Sequence, residues 1–153
     1  MSLGLYLHIP YCFSKCRYCD FYSAPGQRGV PRAYVDALLR ELSRFAPDAP
    51  LRPDTLYFGG GTPSLLRPEQ AKRLIDAARP MPGAEITLEA NPETVTEESL
   101  AGFREAGVNR ISFGVQSARD TQLRTLGRPH SAKQARAAFA AARRAGFENI
   151  SGD

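Results

Sequence analysis

A chain of 153 residues is long enough for one domain with a real core, and 42% hydrophobic with 24% charged residues is ordinary for a soluble globular fold. The net charge of +4 is a mild excess carried mostly by arginine, since Lys15, Lys72 and Lys133 are the only lysines; it suits carboxylated or phosphorylated ligands, although Arg136, Arg143 and Arg144 fall on a helix face where solvation is the default. No apolar run approaches the roughly eighteen residues of a membrane-spanning helix, and the short N-terminal apolar run breaks at His8-Ile9-Pro10, unlike a signal peptide.

Leu3 to Ile9 is predicted to be a buried strand that ends at Pro10. The loop after it carries Cys12, Cys16 and Cys19, the only three cysteines, at the spacing C-x3-C-x2-C. An odd number defeats a disulfide framework, and clustered thiols without a secretory signal read as metal-binding in a reducing cytoplasm. Two metal readings are open. An iron–sulfur cubane normally takes one thiolate per iron, so three would leave one iron with a free coordination position, where chemistry happens. A structural zinc would need a fourth ligand, for which His8 is the candidate. Zinc knuckles, however, usually add a second cysteine pair further along, and this chain has none. His8, two residues from Tyr6 in a strand pattern, also reads as a packed histidine.

After a Gly/Pro-rich loop, Pro31 opens a helix whose Tyr34, Leu38, Leu42 and Phe45 form an apolar stripe, stopped by Pro47 and Pro50. Thr55 to Phe58 is a short strand running into Gly59-Gly60-Gly61-Thr62-Pro63, and Pro68 to Ala78 a second helix closed by Pro80 and Pro82. Glu85 to Glu89 is a third strand, followed by Ala90-Asn91-Pro92. Thr96 caps a third helix with Glu97 and Glu98 in its positive first turn, and Gly107 ends it. Arg110 to Gln116 is a fourth strand, Ser131 and Gln134 form a capping box for a helix ending at Gly146, and Phe147 to Ser151 starts a fifth strand.

Ala106-Gly-Val-Asn-Arg-Ile-Ser112 and Ala145-Gly-Phe-Glu-Asn-Ile-Ser151 match at Ala-Gly, at the apolar third position and at Ile-Ser. Each is a helix end, a turn and a strand entry, so the chain alternates β and α units around a parallel sheet. Sites in such folds gather at the C-terminal ends of the strands. The cysteine loop, Gly59–Thr62, Glu89–Asn91, Gln116-Ser117 and Asp153 are therefore expected on one rim.

Taken together, Tyr6-Leu-His-Ile-Pro-Tyr-Cys12, Cys16-x2-Cys19, Phe58-Gly-Gly-Gly-Thr-Pro63, Glu89-Ala-Asn-Pro92, Ile111-Ser-Phe-Gly-Val-Gln-Ser117 and Leu126-Gly-Arg-x-His130 resemble the oxygen-independent coproporphyrinogen III oxidase family of radical S-adenosylmethionine (SAM) proteins. The resemblance implies an α/β fold, a partial (β/α)6 radical SAM barrel truncated after the start of the fifth strand. Residues 1–153 would be the N-terminal portion of that core domain, with the rest of the barrel and a C-terminal domain absent. It implies that Cys12, Cys16 and Cys19 hold a [4Fe-4S] cluster and that SAM chelates the open iron, to be cleaved by an electron from the cluster. Tyr6 would lie against that SAM, Gly60 would meet it through its backbone, and Glu89 would anchor it by accepting hydrogen bonds. Tyr18, Gly61, Thr62, Gln116, Arg128 and Asp153 match the contacts of a second SAM, and His130 would cap or pack.

In the oxidase a fourth cysteine stands two residues after the third, where this chain has Phe21. That departure resembles the HemW branch, whose members are regarded as haem chaperones. The resemblance implies a cytoplasmic protein of haem and porphyrin metabolism with SAM, haem or a porphyrin, and an electron donor protein as partners. Oxidative decarboxylation of coproporphyrinogen III is the alternative, as an oxidoreductase, and a structural zinc module the alternative of another class. Nucleic acid is not expected, because the arginines are scattered rather than interleaved with aromatics.

Overall fold

Alternation within the strands decides what the sheet buries. The computed structural model describes residues 2–45 and 50–153, so Pro47, expected to stop the first helix, lies outside the described residues. Strands β1 (Gly4–Ile9), β2 (Thr55–Gly60), β3 (Glu85–Ala90), β4 (Arg110–Phe113) and β5 (Asn149–Gly152) form one parallel sheet in the order β1-β2-β3-β4-β5. The crossovers carry α1 (Arg32–Phe45), α2 (Pro68–Ala78), α3 (Glu97–Glu105) and, between β4 and β5, α4 (Asp120–Leu126) followed by α5 (Ala132–Arg144). Parallel strands in chain order with helical crossovers are the repeating unit of a βα-barrel wall, as the sequence predicts.

The register aligns Leu7, Phe58, Leu88, Ile111 and Ile150 in one row across the sheet. The neighbouring row is Tyr6, Tyr57, Thr87, Arg110 and Asn149. Because successive side chains point to opposite faces, one face is apolar and the other polar. The apolar face meets a helix layer in which α1 packs on α2, α2 on α3 and α3 on α5. Phe58, Phe113, Leu56, Leu88 and Ile111 from the strands are buried there with Val35, Leu74, Leu100 and Phe103. Each such side chain contributes about 1.5–3 kcal/mol relative to exposure.

This alternation corrects the expectation of a buried β1: Leu3 and Tyr6 are 42% and 54% exposed, Leu7 and Ile9 are buried, and Leu5 packs half-buried against the core. Phe45 is also corrected, standing exposed in the last turn of α1, whereas Val35, absent from the expected stripe, is fully buried.

The two Ala-Gly joints have a common physical basis. Gly107 and Gly146 take φ of 110° and 88°, and the apolar residue after each turns its N–H back into the helix. Val108 donates to the Phe103 carbonyl at 3.0 Å and Phe147 to the Ala142 carbonyl at 3.1 Å. Val108 and Phe147 are both buried. These are Schellman ends, where a glycine supplies the left-handed turn and the next side chain seals the helix against the core. The Thr96 cap and the Ser131–Gln134 capping box form as predicted.

Several boundaries differ: β2 runs on to Gly60, β3 to Ala90, and β5 starts at Asn149 because Phe147 closes the preceding helix. Pro31 lies just before α1, its carbonyl accepting from the N–H groups of Tyr34 and Val35. β4 stops at Phe113 instead of Gln116, because Gln116 adopts φ 70° and turns away from the sheet. Helix α4 has no counterpart in the sequence reading. Its single buried side chain, Leu123, gives no periodic signal.

Candidate metal and cofactor site

Pro10 ends β1, and from Tyr11 to Val30 the only regular pairing is a bridge between Tyr11 and Ala24. The loop closes on itself: Cys12 N–H donates to the Ala24 carbonyl at 3.0 Å, and Gln27 N–H to the Cys12 carbonyl at 3.0 Å. Arg17 N–H reaches the Leu126 carbonyl at 3.1 Å and docks the loop on the end of α4. Cys12 is buried, and Cys16 and Cys19 are half-buried.

All three thiols line a cavity of about 240 Å³ at the C-terminal ends of the strands. Tyr18, Gly60, Gly61, Thr62, Glu89, Gln116, Arg128 and Asp153 line it too, so every candidate residue except Tyr6 meets in one place. Tyr6 stands on the polar face of β1, stacked on Tyr57 with ring centroids 6.1 Å apart.

Gly60 and Gly61 have reasons internal to the protein. A Cβ on Gly61 would fall 2.7 Å from the Tyr11 carbonyl oxygen and 2.9 Å from Cys12 Sγ, so a side chain there would push the cysteine loop off the rim. Gly60 has φ 116°, and a Cβ would strike the His8 ring at 2.6 Å.

Glu89 is held from both sides: Tyr57 Oη donates to its Oε1 at 2.7 Å and Gly60 N–H to its Oε2 at 3.2 Å. Burial, reinforced by the Glu89 hydrogen bond and charge, pushes the Tyr57 phenol up to about 12, so it stays a donor at neutral pH. The Tyr6 phenol is also raised, by burial first and then by Glu89. Across the cavity, Gln116 and Asp153 join through Gln116 N–H to the Asp153 carbonyl at 2.8 Å and Gln116 Nε2 to Asp153 Oδ2 at 3.0 Å. Burial raises the Tyr18 phenol, with Cys16 and Asp153 adding to the shift and Arg128 opposing it.

Arg128 is buried. Its Nη1 donates to Cys16 Sγ at 3.4 Å, its Nη2 to Asn91 Oδ1 at 2.8 Å and to the Gly114 carbonyl, and its Nε has no partner. Burial alone would lower its pKa, but the Cys16 hydrogen bond and the negative charge of Glu93 outweigh it, and the net shift is upward. Asn91 and Tyr57 were not among the candidate residues. Asn91 is signalled by its strand-end position and by the Glu89-Ala-Asn-Pro92 motif, and Tyr57 by nothing beyond its strand.

His8 does not complete a zinc site. Its Nδ1 lies 3.1 Å from Tyr6 Oη and its Nε2 3.2 Å from the Tyr22 carbonyl, so both ring nitrogens are engaged. Among the described residues no three His, Cys, Asp or Glu side chains are gathered closely enough to hold one metal ion. Sulfurs around a tetrahedral zinc, with Zn–S near 2.3 Å, stand about 3.8 Å apart. Thiolates of a cubane bind separate irons and stand wider. Three thiols lining one cavity, with no fourth ligand gathered on them among the described residues, fit the cubane. His130 packs as expected: it is buried, with Nδ1 3.2 Å from Glu93 Oε2 and Nε2 3.1 Å from the Val115 carbonyl.

The comparisons with known proteins agree with this geometry. The chain is 45% identical to the heme chaperone HemW of Escherichia coli (strain K12) over 142 residues, 89% of this chain and 38% of that protein. It is 41% identical to the heme chaperone HemW of Bacillus subtilis (strain 168), over 97% of this chain and 41% of the relative. The chain thus spans about two fifths of the length of these curated relatives. Coproporphyrinogen III oxidase (HemN) from Escherichia coli, a radical SAM enzyme, superposes with a TM-score of 0.85 at 31% identity, over 99% of this chain and 36% of that one. The five-stranded open sheet is therefore a partial radical SAM barrel of the kind found there. The family model of the radical SAM superfamily matches residues 6–153, a membership that implies SAM and a [4Fe-4S] cluster, and the chain belongs to that superfamily.

Proposed function

We propose that this chain is the cluster- and SAM-binding portion of a haem-trafficking radical SAM protein of the HemW kind. The observation that carries the reading is the convergence of Cys12, Cys16 and Cys19 with Gly60 and Glu89 on one cavity that has no fourth cysteine. Cys12, Cys16 and Cys19 would hold the cluster, which would supply the electron for reductive cleavage of the SAM sulfonium bond. Glu89, pinned by Tyr57 and the Gly60 N–H, presents a carboxylate whose position is set before any ligand arrives, and Tyr6 flanks it. Tyr18, Gly61, Thr62, Gln116, Arg128 and Asp153 close the other walls, in reach of a second SAM.

Haem as the cargo rests on the relatives' printed names and on Phe21, 68% exposed on the cavity rim where the oxidase resemblance calls for cysteine. The chain spans about two fifths of these relatives' length, which supports its being one part of a larger protein. Free thiols suit a cytoplasmic location, with an electron donor protein as partner. A second reading, oxidative decarboxylation of coproporphyrinogen III, is favoured by the likeness to HemN. The two readings separate in one assay. Anaerobically reconstituted protein given haemin is expected to keep it through gel filtration and pass it to an apo-acceptor. Carbon dioxide release from coproporphyrinogen III, with no haem retained, would carry the second reading instead.

A further inference from the structure

The buried donors on the rim are aimed at the thiols. Thr62 Oγ1 donates to Cys12 Sγ at 3.5 Å, and Arg128 Nη1 donates to Cys16 Sγ at 3.4 Å. Asn91 joins the two, its Nδ2 donating to Thr62 Oγ1 at 3.1 Å and its Oδ1 accepting from Arg128 Nη2 at 2.8 Å. The orientation of that amide is forced, because a guanidinium has only donors and must face the oxygen. With Asn91 donating to it, the Thr62 oxygen is left with its own proton to give to sulfur. One hydrogen-bonded chain therefore runs Cys16–Arg128–Asn91–Thr62–Cys12, through segments that follow β1, β2, β3 and α4. Thr62 is 2% and Arg128 9% exposed, so water competes little with either contact.

We propose that this chain of contacts sets the reduction potential of the cluster, with Arg128 and Thr62 as the donors and Asn91 as the residue that positions both. The proposal rests on the assignment of the cluster to Cys12, Cys16 and Cys19. Reduction adds one negative charge that spreads onto the thiolates. A hydrogen bond or a cation at the sulfur stabilises the reduced state more than the oxidised one and raises the potential. Both donors are buried, and there both effects are larger than at a surface. The donors reach two different thiolates, so the effect is shared between two ligands and coordinated by one amide.

The test is a potentiometric titration of anaerobically reconstituted protein, with dithionite as the one-electron reductant, mediators present and the reduced signal read by EPR. Iron is counted in every sample. Wild type, Arg128→Lys, Arg128→Gln, Thr62→Val and Asn91→Ala are compared. All are expected to hold about four irons per chain. Arg128→Gln should have a more negative midpoint than wild type, with Arg128→Lys between them because it keeps the charge. Thr62→Val and Asn91→Ala should also shift to more negative values. Equal midpoints across loaded variants would overturn the proposal and leave the cluster assignment standing. Loss of iron from Thr62→Val with an unchanged melting temperature would overturn it too, since the hydroxyl would then be needed for assembly. Wild-type protein that takes up no iron would overturn the cluster assignment and this proposal with it.

Discussion

The two walls of the cavity are built in opposite ways. On one side, Gly60–Thr62 and Glu89–Asn91 continue paired central strands and run into short 3₁₀ turns at Pro63–Leu65 and Pro92–Thr94. Thr62, Pro63, Ser64, Ala90 and Pro92 are all buried there. On the other side, Tyr11–Val30 has a single bridge, bonds largely to itself, and leaves Phe13, Tyr18, Phe21 and Tyr22 between 44% and 85% exposed. The rim is fixed by the core behind it. The cysteine loop buries little apolar surface, so its order depends on whatever its thiols hold. The fold thus supplies a preset set of donors and a carboxylate, and on the proposed reading a bound cluster would supply the order of the facing loop.

The largest expected effect separates the two walls. Serine in place of Cys12, Cys16 or Cys19 should reduce bound iron from about four per chain to background, because no spare cysteine exists. The thermal melt of the βα core should barely move. A core collapse in these variants would break the distinction between the walls.

The converse comes from the core. Phe113 is fully buried at the end of β4, next to the Gly114 carbonyl that holds Arg128. Phe113→Ala should cost about 3–5 kcal/mol in urea denaturation. Its cluster should be lost at lower denaturant than in wild type.

A smaller effect tests the preset carboxylate. Tyr57→Phe removes one hydrogen bond to Glu89 and should cost about 1 kcal/mol of stability, with weaker SAM binding in equilibrium dialysis. The pH dependence has a definite sign. The folded phenol, at about 12, lies above its ordinary value of 10.0, so its contribution is complete below pH 10 and is lost as pH rises through 12. Tyr57→Phe should flatten that alkaline arm of the stability curve.

The smallest effect lies far from both walls. Arg144 lies 2.8 Å from Glu97 and holds its carboxyl below the ordinary range, first through the hydrogen bond. That contribution is present above the unfolded value and lost as pH falls through the depressed folded one. Both groups are solvated, so Glu97→Gln should shift the melting temperature less than Tyr57→Phe does.

Much of this architecture was legible because it is written in local signals. The Ala-Gly-apolar joints carry their own Schellman geometry, the Thr96 and Ser131 caps act within a few residues, and the residues after each strand must share a rim once the strands are parallel. What was not legible depends on distant approach. Arg128 and Cys16 are 112 residues apart, and no local pattern tells that the guanidinium turns toward a thiol. The Tyr57–Glu89 bond needs the register of β2 against β3. Phe45 was misread because helical spacing marks a stripe but not where the sheet beneath it ends. Gln116 falls outside β4 because its left-handed φ turns it toward Asp153, which no local pattern shows.

The most direct test of the central claim is EPR of the dithionite-reduced, anaerobically reconstituted protein before and after addition of SAM, with iron and sulfide counted in the same sample. The account predicts about four irons and four sulfides per chain, and a cluster signal that changes when SAM occupies the open iron. One tightly held zinc without sulfide, or a cubane signal indifferent to SAM, would contradict it.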